Sequence, residues 1–366
     1  MEVQAANHAW KRSVEDTPGC SRKSLNSTSN EPMHMYSGHQ MGPLDAREWG
    51  SLKARLQTGA MLPGSKPLPC NQTFRLGLPD EEVAAVARRS SLAIGFMVRD
   101  VEPYLNRNLK AIVMLGEAFG EYWLFFVEND SRDRTRELLV RHMNEMPKDR
   151  LRGSFLGNIS RAYSVALCPE SQRNCAKRIQ LLSRLRQSVF DLAWAQPGWD
   201  ALIMLDFDFA KFQLSEYLQM FALGQRMNAS AIVGVSMTRN SRGHCAQYDR
   251  TLFGEYRRDL TKFMRDQGCF GAVMNGHSGF PTLFARALRT ANPRPSYSNH
   301  SSFLKLGANG YNDLVPFNLA LEAHGRSLGM PFLVDPRFRP VYPYGEGELY
   351  MKNVTLARIL WTKPEE

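Results

Sequence analysis

Between residues 91 and 237, short apolar runs alternate with longer stretches whose apolar residues recur at helical spacing, and few folds accommodate that alternation. The runs are SLAIGFMV (91–98), YWLFFV (122–127), ALIML (201–205) and SAIVGVSM (230–237), with a further strand near Phe155. Each has the length of a strand, and none leaves a polar face for water. Leu105, Leu109, Ile112, Leu115 and Phe119 make one helical stripe, and Cys175, Ile179, Leu182, Leu185, Val189 and Leu192 make a second. Between them the polar turn ENDSRDRT (128–135) leads into a helix carrying Leu138 and Leu139. Strands buried on both faces and joined through helices predict an α/β fold with a mostly parallel central sheet flanked by helices.

The alternation sets the expected domain plan. Residues 1–75 are rich in Ser, Asn, Pro, Gly and Met without periodicity, so a disordered tail is expected there. A single domain is expected over 76–366, with a Rossmann-like nucleotide-binding half at about 91–237 and a smaller acceptor-side half at 238–345. In the second half GAVMNG reads as a strand and PTLFARAL as a helix with Pro281 in its first turn. NDLVPFNLALEAHG reads as a helix with an Asx cap and a stop at Gly325, and MPFLVDPRFRPVY as a closing strand.

A net charge of +10 calls for a polyanionic partner, whether nucleic acid, anionic lipid or a small molecule bearing a diphosphate. The basic residues are scattered, as at Lys177, Arg178, Arg184 and Arg186, which read as a solvated helix face. With no basic arm and no RNA-binding aromatic signature, nucleic acid is not expected. No apolar run reaches the roughly 18 residues of a membrane span, and no signal peptide opens the chain, so a cytoplasmic location is expected. The six cysteines contain no C-x-x-C pair, and the N-x-S/T sequons include one at Asn129, inside the expected pocket, where a glycan would obstruct function.

In parallel sheets ligands bind beyond the carboxyl ends of the strands. Glu128 and Asp130 follow the second strand, and LIMLDFDF (202–209) ends the central one with two aspartates. Side chains alternate along an extended segment, so Asp206 and Asp208 share one side while Phe207 and Phe209 take the other. Two like charges that close repel; the pattern suits either a positive charge between them or a strand that has ended in water. Mg²⁺ or Mn²⁺ fits the first case, because both take oxygen ligands and keep substrate phosphates in their shell.

Taken together, FFVENDSRDRT (125–135), SQRNCAKRI (171–179), LIMLDFDF, QYDRTLF (247–253), YNDLVPFNLALEAHG (311–325) and FLVDPRF (332–338) resemble the signatures of GT-A glycosyltransferases. The chain is most similar to the group of fungal capsule-associated mannosyltransferases. That resemblance implies transfer of a hexose, mannose in that group, from a UDP- or GDP-sugar to a hydroxyl of a glycan, lipid or protein, with Mn²⁺ or Mg²⁺ at Asp206 and Asp208. It further implies Arg99, Glu128, Asp130, Arg173 and Asn174 as nucleotide-binding residues. Asp313 takes the place of the catalytic base, with Asp249 as its alternative. It offers the Golgi lumen as the alternative location. The sequence departs from the family in having Arg99-Asp100 where an Arg-Asn pair is usual, and Asp313-Leu314 where an acid precedes histidine.

Each of these residues also has a structural use. Glu128, Asp130 and Ser131 can cap the next helix, Asp313 can cap its own, and Asp249 can serve a turn. A nucleotidyltransferase is a competing expectation, although its Gly-rich loop is absent from MVRDVEPYLNRN after the first strand. A sugar- or nucleotide-binding module without catalysis is another. GHSGF (276–280) falls one position short of a nucleophile elbow.

Overall fold

The computed structural model describes residues 78–147, 149–162, 176–209, 212–234, 236–239, 245–247, 271–272, 280–297, 304–305, 311–312, 314–335, 338 and 340–342. The expected N-terminal tail lies outside them. The chain begins with α1 (Asp80–Arg89), β1 (Ser91–Val98), α2 (Glu102–Glu117), β2 (Glu121–Asn129), α3 (Thr135–Glu145), β3 (Leu151–Leu156) and the single turn α4 (Ile159–Ala162). It continues through α5 (Ala176–Trp194), β4 (Ala201–Asp206), α6 (Leu214–Arg226), β5 (Ala231–Val233), β6 (Met237–Arg239), β7 (Cys245–Gln247), β8 (Gly271–Ala272) and β9 (Thr282–Phe284). The last elements are α7 (Ala285–Thr290), β10 (Leu304–Lys305), β11 (Tyr311–Asn312), α8 (Leu314–Ser327), β12 (Phe332–Val334) and β13 (Val341–Tyr342).

Eight strands form the main sheet in the order β3-β2-β1-β4-β9-β5-β12-β8. The first four are mutually parallel, as are β5 and β12. β9 runs antiparallel to both of its neighbours, so β4 and β5 point the same way on either side of it. The α/β class and the mostly parallel sheet are therefore as expected. Small side sheets pair β13-β6-β7 and β10-β11.

The apolar runs are buried on both faces because two cores sandwich the sheet. Leu92, Ile94 and Phe96 of β1 face one core with Leu105, Leu109 and Ile112 of α2 and Phe221 of α6. Ala93 of β1, with Phe125 and Val127 of β2, faces the other with Leu185, Val189 and Phe190 of α5 and Phe317 of α8. Each such Leu, Val or Phe contributes roughly 1.5–3 kcal/mol by leaving water. Gly95 lets α5 lie close against β1: a Cβ there would meet Val189 Cγ1 at 2.5 Å.

Two expectations for the second half need correction. PTLFARAL is not helical from Pro281; Thr282, Leu283 and Phe284 form β9, and the helix starts at Ala285. The slot between β4 and β5 supplies ladder partners on both sides, which outweigh a short segment's helical pattern. The buried Tyr217 hydroxyl lies 3.0 Å from Thr282 Oγ1, holding the strand to α6. Likewise Gly325 does not stop α8, which runs to Ser327. Gly325 instead permits close packing, since a Cβ there would lie 2.6 Å from Ser230 Cβ, and the left-handed residue past the helix end is Gly329 (φ +69°). MPFLVDPRFRPVY also divides into β12 in the main sheet and β13 in a side sheet. Among the described residues, no helix is long and apolar enough to cross a membrane.

Candidate functional site

The parallel register brings the carboxyl ends of β1, β2, β3 and β4 to one edge: Val98 pairs with Glu128, Glu128 with Phe155, and Met97 with Asp206. Asp206 is the last residue of β4, and a turn follows. Phe207 and Phe209 are buried at 2% and 1% exposure, while Asp206 and Asp208 are half-buried, so the expected division between the two sides holds. Phe207 stacks on Phe96 with ring centres 4.7 Å apart, and Phe209 meets Phe280 and Phe212 edge-on at 5.3 and 5.6 Å.

One amide from α2 fixes this turn. The buried Asn108 Nδ2 donates to the carbonyls of Phe207 (2.6 Å) and Phe209 (3.0 Å), the two residues that flank Asp208. Arg107 Nη2 adds a bond to the Phe209 carbonyl at 3.1 Å, and Arg107 Nε orients the Asn108 amide by donating to its Oδ1 at 2.8 Å. The Asp208 backbone is thus held from the core side, and its carboxylate lies on the opposite side from the two anchored rings.

The positive charge at Asp206 comes from α5. Arg186 Nη2 donates to Asp206 Oδ1 at 3.2 Å, with the arginine side chain 9% exposed and the aspartate 39%. The expected solvated face at Arg186 is corrected accordingly. Residue 186 falls among Leu185, Val189 and Phe190 on the buried side of α5, and the close approach at Gly95 brings that side onto the sheet. Its spacing from those apolar residues was the available signal.

At the ends of β1 and β2 the polar residues of RDVE (99–102) and ENDSRDRT bond mainly to one another. Asp100 N donates to Ser131 Oγ (3.1 Å), Arg132 N to Asp100 Oδ1 (2.7 Å), Glu102 N to Asp133 Oδ2 (3.0 Å) and Arg134 N to Glu102 Oε2 (3.0 Å). Val101 N donates to Thr135 Oγ1 at 2.8 Å and Thr135 N to Asp133 Oδ1 at 3.0 Å. The first turns of α2 and α3 thereby satisfy their otherwise unpaired N–H groups across the gap between them. Glu128 is completely buried; it accepts from Ser131 N at 2.8 Å and from Arg136 Nε and Nη2 at 2.9 and 2.7 Å. In this arrangement Glu128 supports the loop and offers no surface to a ligand.

Asp130 and Arg99 meet at Ser160, which opens the α4 turn. Ser160 N donates to Asp130 Oδ2 at 2.7 Å and Arg99 Nη1 to Ser160 Oγ at 3.2 Å. Burial acts to raise the Asp130 carboxyl, but bonds from Ser160 and Asn129 and the nearby Arg99 outweigh it and hold the group below its usual range. Asp100 and Asp130 both have left-handed backbones, with φ of +51° and +52°. Aspartate tolerates that region better than most residues, and here it ends two adjacent strands in matching tight turns. Asn129 is 4% exposed, which leaves no room for a glycan in the folded chain.

Asp206, Asp208, Asp130 and Arg99 therefore share one sheet edge. Asp335, at the carboxyl end of β12, ends the sheet on the same side and is fully buried, with its N–H on the Val233 carbonyl at 2.8 Å. Arg173, Asn174, Asp249 and Asp313 lie outside the described residues. Asn108, Ser160, Arg186 and Asp335 are additions of the structure; all but Arg186 are short polar residues with no periodic signal.

Among the described residues no three His, Cys, Asp or Glu side chains group as a complete metal cage. Two carboxylates do suit the open kind of Mg²⁺ or Mn²⁺ site, in which phosphate oxygens and water complete the shell. The donor set fits that kind of site and no other metal chemistry in particular.

No protein-family model matches the chain, and no curated protein matches it. Solved structures give partial likenesses. Glucosyl-3-phosphoglycerate synthase from Mycobacterium tuberculosis, in complex with Mn²⁺, UDP and phosphoglyceric acid, aligns over 79% of this chain and 85% of its own, at 13% identity and a TM-score of 0.40. TarS 1–349 from S. aureus aligns over 75% of this chain and 67% of its own, at 13% identity and a TM-score of 0.38. GalNAc-T7 with UDP, GalNAc and Mn²⁺ aligns over 70% of this chain but 44% of its own, at 10% identity and a TM-score of 0.41.

Proposed function

We propose that the chain is a GT-A-type glycosyltransferase that takes a sugar from a nucleoside diphosphate sugar, with Mn²⁺ or Mg²⁺ at Asp206 and Asp208. The observation that carries this reading is the D-x-D turn: two half-buried carboxylates at the end of a parallel strand, with Phe207 between them and Phe209 after them locked in the core and the backbone clamped by Asn108. Such a turn holds its acids at the edge where α/β sheets bind ligands. A divalent cation there would supply charge neutralisation for a departing diphosphate. The UDP and Mn²⁺ complexes named above belong to those proteins; the reading for this chain rests on its own residues.

The roles of the remaining residues follow from their chemistry. Arg99 and Asp130, linked through Ser160, face the same edge and suit the nucleoside and its phosphates. Arg173 and Asn174 are assigned to the diphosphate, where a guanidinium gives charge-assisted bonds. Asp313, or Asp249 in its stead, is assigned as the base that accepts the acceptor hydroxyl proton. The sugar is proposed to be a hexose, mannose by resemblance, and the donor UDP- or GDP-linked.

The test is a thermal-shift panel of UDP, GDP and their sugars with and without Mn²⁺. A ligand at about 100 times its Kd stabilises by about 2.7 kcal/mol, which moves Tm by a few degrees. A metal-dependent shift with one nucleotide series supports the reading, and absence of any shift across the panel overturns it. Asp313→Asn is expected to lower transfer by about 10²-fold or more with donor affinity near wild type. Normal transfer by that variant moves the assignment to Asp249.

A further inference from the structure

The Arg186–Asp206 contact points to a residue role that rests on the proposed metal site and goes beyond it. Arg186 reaches Asp206 from the opposite side of the sheet edge to Asn108, on a helix packed without room for a Cβ at Gly95. Its side chain is nine-tenths buried, whereas the carboxylate it bonds is 39% exposed. A guanidinium in that position is part of the protein's interior and not a surface side chain resting on an acid. It donates to Oδ1 of the same carboxylate that the D-x-D pattern offers to a divalent cation.

We propose that Arg186 is a built-in competitor of the divalent cation at Asp206, setting how tightly the site holds metal before a nucleotide arrives. The physical reason is that a metal and a guanidinium both draw on the negative charge and lone pairs of one carboxylate. The guanidinium 3.2 Å from Oδ1 opposes a second cation brought to the same carboxylate by like-charge repulsion. Because the Asp206 side chain is partly open to water, that repulsion is screened and modest in size. The metal therefore binds weakly alone, and a diphosphate that brings its own negative oxygens restores the balance of charge. The pairing makes metal loading depend on substrate in a way that two free aspartates would not.

The experiment measures Mn²⁺ binding without nucleotide, from the electron paramagnetic resonance signal of the free ion, in the wild type and in Arg186→Met. Methionine keeps the buried stem volume and removes the charge, and circular dichroism with a melting curve checks that the variant is folded. The expected result is a Kd for Mn²⁺ about fivefold lower in Arg186→Met than in the wild type, the size of a partly exposed charge interaction. Arg186→Lys, which keeps the charge without the planar fork, is expected to fall between them and guards against a misfolded methionine variant. Equal or weaker Mn²⁺ binding in folded Arg186→Met, with Mn²⁺ binding intact in the wild type, overturns the inference and leaves the proposed function standing. Failure of both proteins to bind Mn²⁺, even with UDP or GDP added, overturns the metal site itself and the inference with it.

Discussion

The β1–β2 edge and the β4 edge lie side by side in the sheet and use acidic residues in opposite ways. Asp100, Glu102 and Asp133 direct their oxygens to backbone N–H groups of the neighbouring loop and hold two helix starts together, while Glu128 accepts from Ser131 N within its own loop. Asp206 and Asp208 sit on a turn whose backbone is secured by other means, through Asn108 and two core phenylalanines. An acid that caps a helix is committed to the fold. An acid on a turn held from behind takes no part in capping the helices. The number of carboxylates near a sheet edge therefore says less about function than what holds each one's backbone.

This contrast is open to direct attack. Asp208→Asn gives the largest expected effect: Mn²⁺-dependent stabilisation by UDP or GDP disappears, a loss of about 2.7 kcal/mol at 100 times Kd, while the melting temperature without ligand stays near wild type. Nucleotide binding that persists unchanged with metal present would place Asp208 in the structural class with Glu128. Next in size, Asn108→Ala removes the donor that clamps two buried carbonyls and should lower unfolding free energy by about 2–3 kcal/mol in urea titration. It should also weaken Mn²⁺–nucleotide binding, because Asp208 loses its fixed backbone; intact binding in a destabilised variant would mean the phenylalanines alone hold the turn.

Glu128→Gln is expected to cost about 2 kcal/mol in the same titration, through loss of the charged bonds to Ser131 N and Arg136. Its nucleotide affinity should change little. The reverse pattern, unchanged stability with lost affinity, would make Glu128 a ligand contact and break the comparison. The smallest effect concerns pH. The Asp130 carboxyl is held below its usual range, so its contribution to stability is complete above the unfolded-state pKa and is lost as pH falls through the folded-state one. Asp130→Asn should therefore flatten the decline in stability between about pH 5 and pH 3, with little difference from wild type at neutrality beyond a constant offset. An unaltered acid slope would remove Asp130 from the groups that the fold stabilises as anions.

Much of this architecture is legible in the sequence because the longer elements repeat their signals. β1, β2 and β4 are apolar through their centres, and α2 carries Leu105, Leu109, Ile112 and Leu115 on one stripe, so class and sheet direction follow from periodicity. β9 is not legible: three residues carry no period, and their strand conformation comes from partners 80 residues upstream and 50 residues upstream. Gly325 misleads for a related reason, since glycine marks either a helix end or a close contact, and only the neighbouring Ser230 decides. The D-x-D pair reads out locally because strand alternation alone separates its acids from its rings. Arg186 reads out only in part: its spacing from Leu185, Val189 and Phe190 places it on the buried side of α5, but its partner Asp206 is set by packing.

The antiparallel strand β9 has a consequence for how the chain is made. β4 pairs with β1 on one side and with β9 on the other, and β9 joins β5 to β4. During synthesis, β4 is complete some 75 residues before Thr282 emerges, and until then its apolar ALIML backbone is an open edge. Unpaired strand edges of that composition recruit other chains. A product ending before Thr282 would keep the β3-β2-β1-β4 half and its exposed border, and should associate through it. Thr282–Phe284 is thus the stitch that converts two half-sheets into one and closes the border that β4 would otherwise present to other copies.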